Sequence, residues 1–166
     1  MGEMNMDKYL IRRAKEEDYK SIKELVQQLQ NQHVMYDPLI FKKNDNILSF
    51  ENYINKLTNE IQYYTVVEDT YLNKVIAVAI WEVKVYRETI KTNSFITLYI
   101  DNIVVYNKYR RQGVGKMLLR YLEQYAKEEG IDTLSLKVNA HNYDVMEFYK
   151  KNNFEEEFIT MRINIR

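Results

Sequence analysis

The sequence predicts an α+β protein in α/β/α layers. It should hold a mixed, mostly antiparallel sheet of about six to seven strands and about four helices, as one domain over residues 1–166. Three observations carry this reading. The hydrophobic period changes from helical to alternating at Tyr63. Three long β-branched stretches then follow one another on short links, which suggests an antiparallel meander. Further on, a strand, an amphipathic helix and a second strand imply a parallel pair joined by a right-handed crossover.

Taken in order, Tyr9–Arg12 is a short strand. Asp18 caps a helix to about His33, with Ile22, Leu25, Val26 and Leu29 at helical spacing. The loop HVMYDPLIFKKND holds the single proline, Pro38, and an unusual set of large apolar side chains from Met35 to Phe41. It reads as a lid over a partly apolar substrate or as a contact with a second copy. Ser49 caps a second helix, Phe50–Glu60, with Tyr53, Ile54, Leu57 and Ile61 on its apolar side.

Strands follow at Tyr63–Glu68, Lys74–Tyr86 and Phe95–Val105. Val114, Leu118, Tyr121, Leu122 and Tyr125 mark one face of a third helix that ends at Gly130. Leu134, Leu136 and Val138 alternate as a strand, Asn142–Lys151 is a short helix, and Phe154–Ile165 is a last strand.

Lysine plus arginine and aspartate plus glutamate number 24 each, so no basic excess points to a nucleic-acid partner. There is no cysteine, which excludes a disulfide framework and any thiolate chemistry supplied by the protein. No apolar run reaches the ~18 residues of a membrane-spanning helix, and the polar MGEMNMDK start lacks a signal pattern. No membrane partner and a cytoplasmic location are therefore expected. The two histidines, His33 and His141, have no ligand-like spacing, and no metal is expected.

The chain has four glycines, and two of them, Gly113 and Gly115, sit between a basic pair and a helix start. A strand, a basic glycine turn and a helix N-terminus present unpaired amides and a positive dipole end to an anion. A phosphate-bearing ligand at Arg110–Lys116 is the first inference. A dinucleotide fingerprint would need glycine where Leu118 stands, and a P-loop would need glycine at Arg110 and Ser or Thr at Met117. What remains is Arg-x-x-Gly-x-Gly at Arg110, Gly113 and Gly115.

With these residues the sequence resembles the GNAT acetyltransferase superfamily, whose acetyl-CoA loop reads Arg/Gln-x-x-Gly-x-Gly/Ala. YIDNIVV (Tyr99–Val105) is similar to the family strand Ile-Glu-Asp-Leu-x-Val. NAHNYDVMEFYKKNNF (Asn139–Phe154) is similar to Asn-x-x-Ala-x-x-Phe-Tyr-x-Lys-x-Gly-Phe, in register at Asn142, Phe148, Tyr149, Lys151 and Phe154. Val145 and Asn153 depart from the usual alanine and glycine, and Asp101-Asn102 replaces Glu-Asp.

The resemblance implies acetyl-CoA as cosubstrate and a small-molecule or peptide amine as acceptor, with a homodimer as a further possibility. It implies that Arg111, Gln112, Gly113, Val114, Gly115 and Lys116 wrap the pyrophosphate with backbone N–H groups, with charge from Arg110, Arg111 and Lys116 secondary. Backbone groups of Ile103, Val104 and Val105 would line the pantetheine arm, one N–H facing the thioester carbonyl, on a strand splayed from its parallel neighbour. Asn142 would contact the CoA arm. Asp101 stands at the position of the family's strand glutamate, as general base or as a structural residue at a strand bulge. Tyr149 stands where a tyrosine protonates the departing thiolate. Asp69 and Glu82 are further acidic candidates without motif support, and His33 either lines the acceptor pocket or complements a helix end. The function implied is N-acetyl transfer to a primary amine by direct attack. Transfer of another acyl group, or a CoA-binding sensor that has lost catalysis, are the alternatives.

Overall fold

In the computed structural model, which describes residues 4–6, 8–59, 62–163 and 165, six strands form one sheet in chain order. They are β1 (Met4–Met6), β2 (Tyr9–Arg13), β3 (Tyr63–Asp69), β4 (Lys74–Tyr86), β5 (Phe95–Val105) and β6 (Thr133–Leu136). The first five pair antiparallel, and β5 and β6 pair parallel. The helices are α1 (Tyr19–Tyr36), α2 (Phe50–Thr58), α3 (Val114–Glu128) and α4 (Tyr143–Lys150). This is the α+β arrangement expected, at the lower end of its strand count.

Alternation along the strands builds a core on each face of the sheet. On one side Val66, Val78, Ile80 and Val104 pack against Ile22 and Leu25 of α1 and Tyr53 of α2. On the other, Ala77, Ala79, Trp81, Leu98 and Ile100 meet Leu118, Leu119 and Leu122 of α3 and Tyr149 of α4. Fully burying a side chain of Leu or Ile size stabilises by about 1.5–3 kcal/mol, so both layers are held by their apolar faces rather than by helix propensity. Trp81 is wholly buried because its Nε1–H donates to Thr65 Oγ1 at 3.0 Å.

Four sequence expectations need correction. Asp18 stands at the N-cap position of α1, but its side chain makes no cap bond there: a 3₁₀ turn at Glu16–Asp18 puts it in the helical region, and its carboxylate turns back. Arg12 holds that carboxylate through two bonds of 2.7 and 3.0 Å, and the Lys15 amide adds a third at 2.7 Å. Second, α1 runs on to Tyr36, because Pro38 rather than His33 sets the limit. Third, β6 ends at Leu136, short of Val138. Fourth, residues 154–163 form no strand although their apolar residues alternate, since no neighbouring strand pairs with them. The second helix ends at Thr58, and Glu60 and Ile61 lie outside the described residues.

Candidate active site

The site starts at the fork between β5 and β6. Its closed end is pinned: Asp132 Oδ2 accepts from the Ile96 amide at 2.7 Å, and Thr97 Oγ1 lies 3.0 Å from Ser135 Oγ. The ladder runs only from Thr97↔Thr133 to Ile100↔Leu136. Beyond it β5 continues through Asp101, Ile103, Val104 and Val105, paired with β4 and released by β6. Asp101 is the extra residue of a β-bulge, since Ile80 pairs with Asn102 and Trp81 with Ile100.

At the end of β5 the chain passes through a 3₁₀ turn, Asn107–Tyr109, into α3. Tyr109 anchors the turn, its hydroxyl 3.3 Å from the buried Asp69 carboxylate. The loop beyond it needs two left-handed residues, Arg111 at φ 60° and Gly113 at φ 84°. Gly113 is the N-cap of α3 and offers no side-chain acceptor, so the first-turn amides, including those of Val114, Gly115 and Lys116, keep their capacity to bind an anion. A Cβ on Gly113 would meet nothing within 4 Å, so the left-handed backbone rather than crowding calls for glycine there. The loop therefore fits a diphosphate. Gly115 has a different reason to be glycine: a Cβ there would sit 3.3 Å from the Phe148 ring, so its absence lets α3 and α4 close together.

The basic side chains divide. Arg110 turns away from the loop, donating from Nε to the Val105 carbonyl at 3.2 Å and from Nη2 to Gln32 at 3.1 Å. Arg111 forms an exposed pair with Asp144 at 3.3 Å, Lys116 is exposed, and Gln112 closes the loop by donating to the Lys108 carbonyl at 2.7 Å.

A stripe on α1 was not recognised in the sequence. Glu24, Gln28 and Gln32 recur every fourth residue and face the same turn. Glu24 accepts from the Tyr106 hydroxyl, Gln28 bonds the Val105 carbonyl at 3.0 Å and the Asn107 amide at 3.3 Å, and Gln32 holds Arg110. Their i, i+4 spacing was the available signal. In sequence the same pattern is that of an ordinary solvated helix face.

Asp101 is exposed, and its carboxylate accepts from Gln62 at 3.3 Å and from Asn102 at 3.0 Å. Gln62, also unrecognised in the sequence, leaves its Oε1 buried and without a partner among the described residues. His33 packs against Phe41 with ring centroids 4.7 Å apart and the ring planes tilted by 37°. Burial lowers the His33 pKa, and the negative charge of Asp101 partly opposes that shift. Tyr64 is pushed up to about 12 by burial, with Asp101 adding to it. Asp101, His33 and Tyr64 thus share one electrostatic neighbourhood on the α1–α2 side.

Tyr149 lies on the other side, wedged between Phe148 and Phe154 with ring centroids 5.2 and 5.3 Å away. It is 9% exposed, and its hydroxyl has no protein partner among the described residues. Burial raises its pKa above the ordinary phenol value, so it is protonated at neutral pH and able to donate. Asn142 caps α4 by accepting from the Val145 amide at 3.4 Å. Of the other acidic candidates, Asp69 is tied to Tyr109, Lys8 and the Tyr71 amide, and Glu82 pairs with Lys84 at 3.0 Å. Among the described residues no group of three or more His, Cys, Asp or Glu could hold a metal, and no helix is long and apolar enough to cross a membrane.

Comparison with known proteins follows the same lines. The chain is 36% identical over 63 residues to the uncharacterized N-acetyltransferase YycN of Bacillus subtilis, a match spanning 38% of this chain and 40% of that protein. The tetramutant of the BH1408 protein from Bacillus halodurans shares the fold at a TM-score of 0.89 and 22% identity, over 93% of this chain and 99% of that one. An aminoglycoside acetyltransferase from an uncultured soil metagenomic sample does so at 0.70 and 20%, over 95% and 97%. Residues 35–154 match the sequence model of the acetyltransferase (GNAT) family, and the chain belongs to that family of acetyltransferase enzymes.

Proposed function

We propose that this protein is an N-acetyltransferase that moves acetyl from acetyl-CoA to a primary amine by direct attack. The observation that carries the reading is the fork: β5 runs free of β6 from Asp101 to Val105 and leads, through the 3₁₀ turn and the glycine loop, to the N-terminus of α3, which no side chain caps. Family membership supplies acetyl-CoA as the cosubstrate, whose thioester provides the acyl group.

The amides of Arg111–Lys116 would hold the pyrophosphate, Asn142 would contact the CoA arm, and the backbone of Ile103, Val104 and Val105 would orient the pantetheine arm. A β5 N–H aimed at the thioester carbonyl would stabilise the oxyanion that forms as the amine attacks, a donor typically worth about 3–4 kcal/mol. An alkyl ammonium has a pKa near ~10.4 and must lose a proton first. Asp101 accepts it, directly or through water. As the C–N bond forms and the C–S bond breaks, the thiolate takes the Tyr149 proton. Opposite faces of the sheet for Asp101 and Tyr149 suit a base on the acceptor side and an acid on the thiol side.

Thiol release from acetyl-CoA, measured with a panel of small amines, amino acids and peptides, tests the reading. Amine-dependent release and N-acetylated product are expected. Tight acetyl-CoA binding with no release from any amine would favour a sensor instead.

A further inference from the structure

The free edge of β5 is shorter than the fork that exposes it. The Tyr106 amide donates to the Ile76 carbonyl of β4 at 3.0 Å, so Tyr106 and, two residues back, Val104 turn their backbone groups toward β4. The alternate residues, Ile103 and Val105, turn theirs toward the fork. Yet the Val105 carbonyl is already taken. It accepts from Gln28 Nε2 at 3.0 Å and from Arg110 Nε at 3.2 Å, which uses both of its lone pairs. The Asn107 amide, next along the same edge, donates to Gln28 Oε1 at 3.3 Å.

One side-chain amide thus spans a carbonyl and an N–H two residues apart. These are the two groups that a neighbouring parallel strand would join through a single residue. Gln28 stands in for the strand that β6 does not supply, and Arg110 locks the same carbonyl from the loop side. If the site holds acetyl-CoA as proposed above, on which this rests, the cofactor's arm lies along that edge. The arm carries amides of its own, and every open backbone group on the edge offers them a register. Closing the Val105 carbonyl and the Asn107 N–H leaves the arm the Ile103 groups and the Val105 N–H. Register matters for rate, because a shift of ~1 Å between reacting atoms can cost about 10²-fold.

We propose that Gln28, locked by Arg110, is a positioning residue that ends the pairing edge of β5 at Val105 and so holds the acyl-CoA arm in one register.

Acetyl-CoA affinity by calorimetry, and thiol release with the fastest amine of the panel above, test this in the wild type, Gln28→Leu and Gln28→Glu. The second variant keeps an acceptor for Asn107 but loses the donor to Val105. Asn107 and Arg110 are exposed, so water can replace the lost amide without unfolding the turn. Both variants should keep the wild-type melting temperature and bind acetyl-CoA within about threefold of the wild type, while turnover falls about tenfold or more. Wild-type turnover in either variant overturns the proposal. So does a loss of turnover matched by equal losses of affinity and melting temperature, which would make the contact merely structural. A wild type that binds no acetyl-CoA, or binds it and releases thiol with no amine, removes the acetyltransferase reading and this role with it. A wild type that binds and turns over beside indifferent variants removes this role alone.

Discussion

At the scale of single residues the two loop glycines separate. Gly113→Ala places a Cβ in open space but at φ 84°, a conformation that costs an L-residue about 1–2 kcal/mol. We expect acetyl-CoA affinity, measured by calorimetry, to fall with it because the amides lose their setting. Gly115→Ala keeps helical geometry but presses on Phe148. It should cost about 1–3 kcal/mol of stability by denaturant unfolding, with weaker cofactor binding following from the α3–α4 shift. Equal effects of both changes on binding and stability would contradict this division of roles. Tyr149→Phe removes a hydroxyl without a protein partner, so the melting temperature should hold while the turnover rate falls by about 10²–10⁴-fold. His33 carries a pH signature. Burial lowers its folded pKa below the ordinary 6.5, so the unfolded chain binds the proton more readily. The stability it contributes is complete above pH 6.5 and is lost as pH falls through that value toward the folded pKa. Denaturant titrations should show a smaller loss between pH 7 and acid in His33→Gln than in the wild type; identical slopes would contradict it.

At the scale of elements, the entry into α1 depends on charge as much as on packing. Arg12 bridges Asp18 at 2.7 Å and Glu68 at 2.7 Å with little exposure, and the two carboxylates raise its pKa further. Asp18→Ala would leave this guanidinium short of a partner, an expected loss of about 3–5 kcal/mol in urea unfolding. The element boundaries visible in the sequence were those with strong local causes. Lys74–Tyr86 and Phe95–Val105 fell where β-branched runs meet polar links, and Ser49 caps α2 as its spacing implied, accepting from the Asn52 amide at 3.2 Å. Boundaries set by tertiary partners were hidden. Val138 alternates with Leu134 and Leu136, yet β5 no longer accompanies it, and the C-terminal alternation finds no partner strand among the described residues.

For the whole molecule, the site is a consequence of topology. An antiparallel meander ends in β5, a single parallel strand is added across α3, and the register that pins Thr97 to Thr133 leaves the other end of β5 uncovered. The loop residues were legible in the sequence because glycine scarcity and motif order mark them. The α1 stripe and Gln62 were not, because glutamine and glutamate on a helix or at a strand start look the same whether they face water or the next element. The proposed function requires acetyl-CoA to occupy this fork. Amide hydrogen exchange with and without saturating acetyl-CoA tests it most directly. Protection should rise at Ile103–Val105 and at Arg111–Lys116, and change little on β1–β3. Protection confined to other segments, with these two unaltered at saturation, would contradict it.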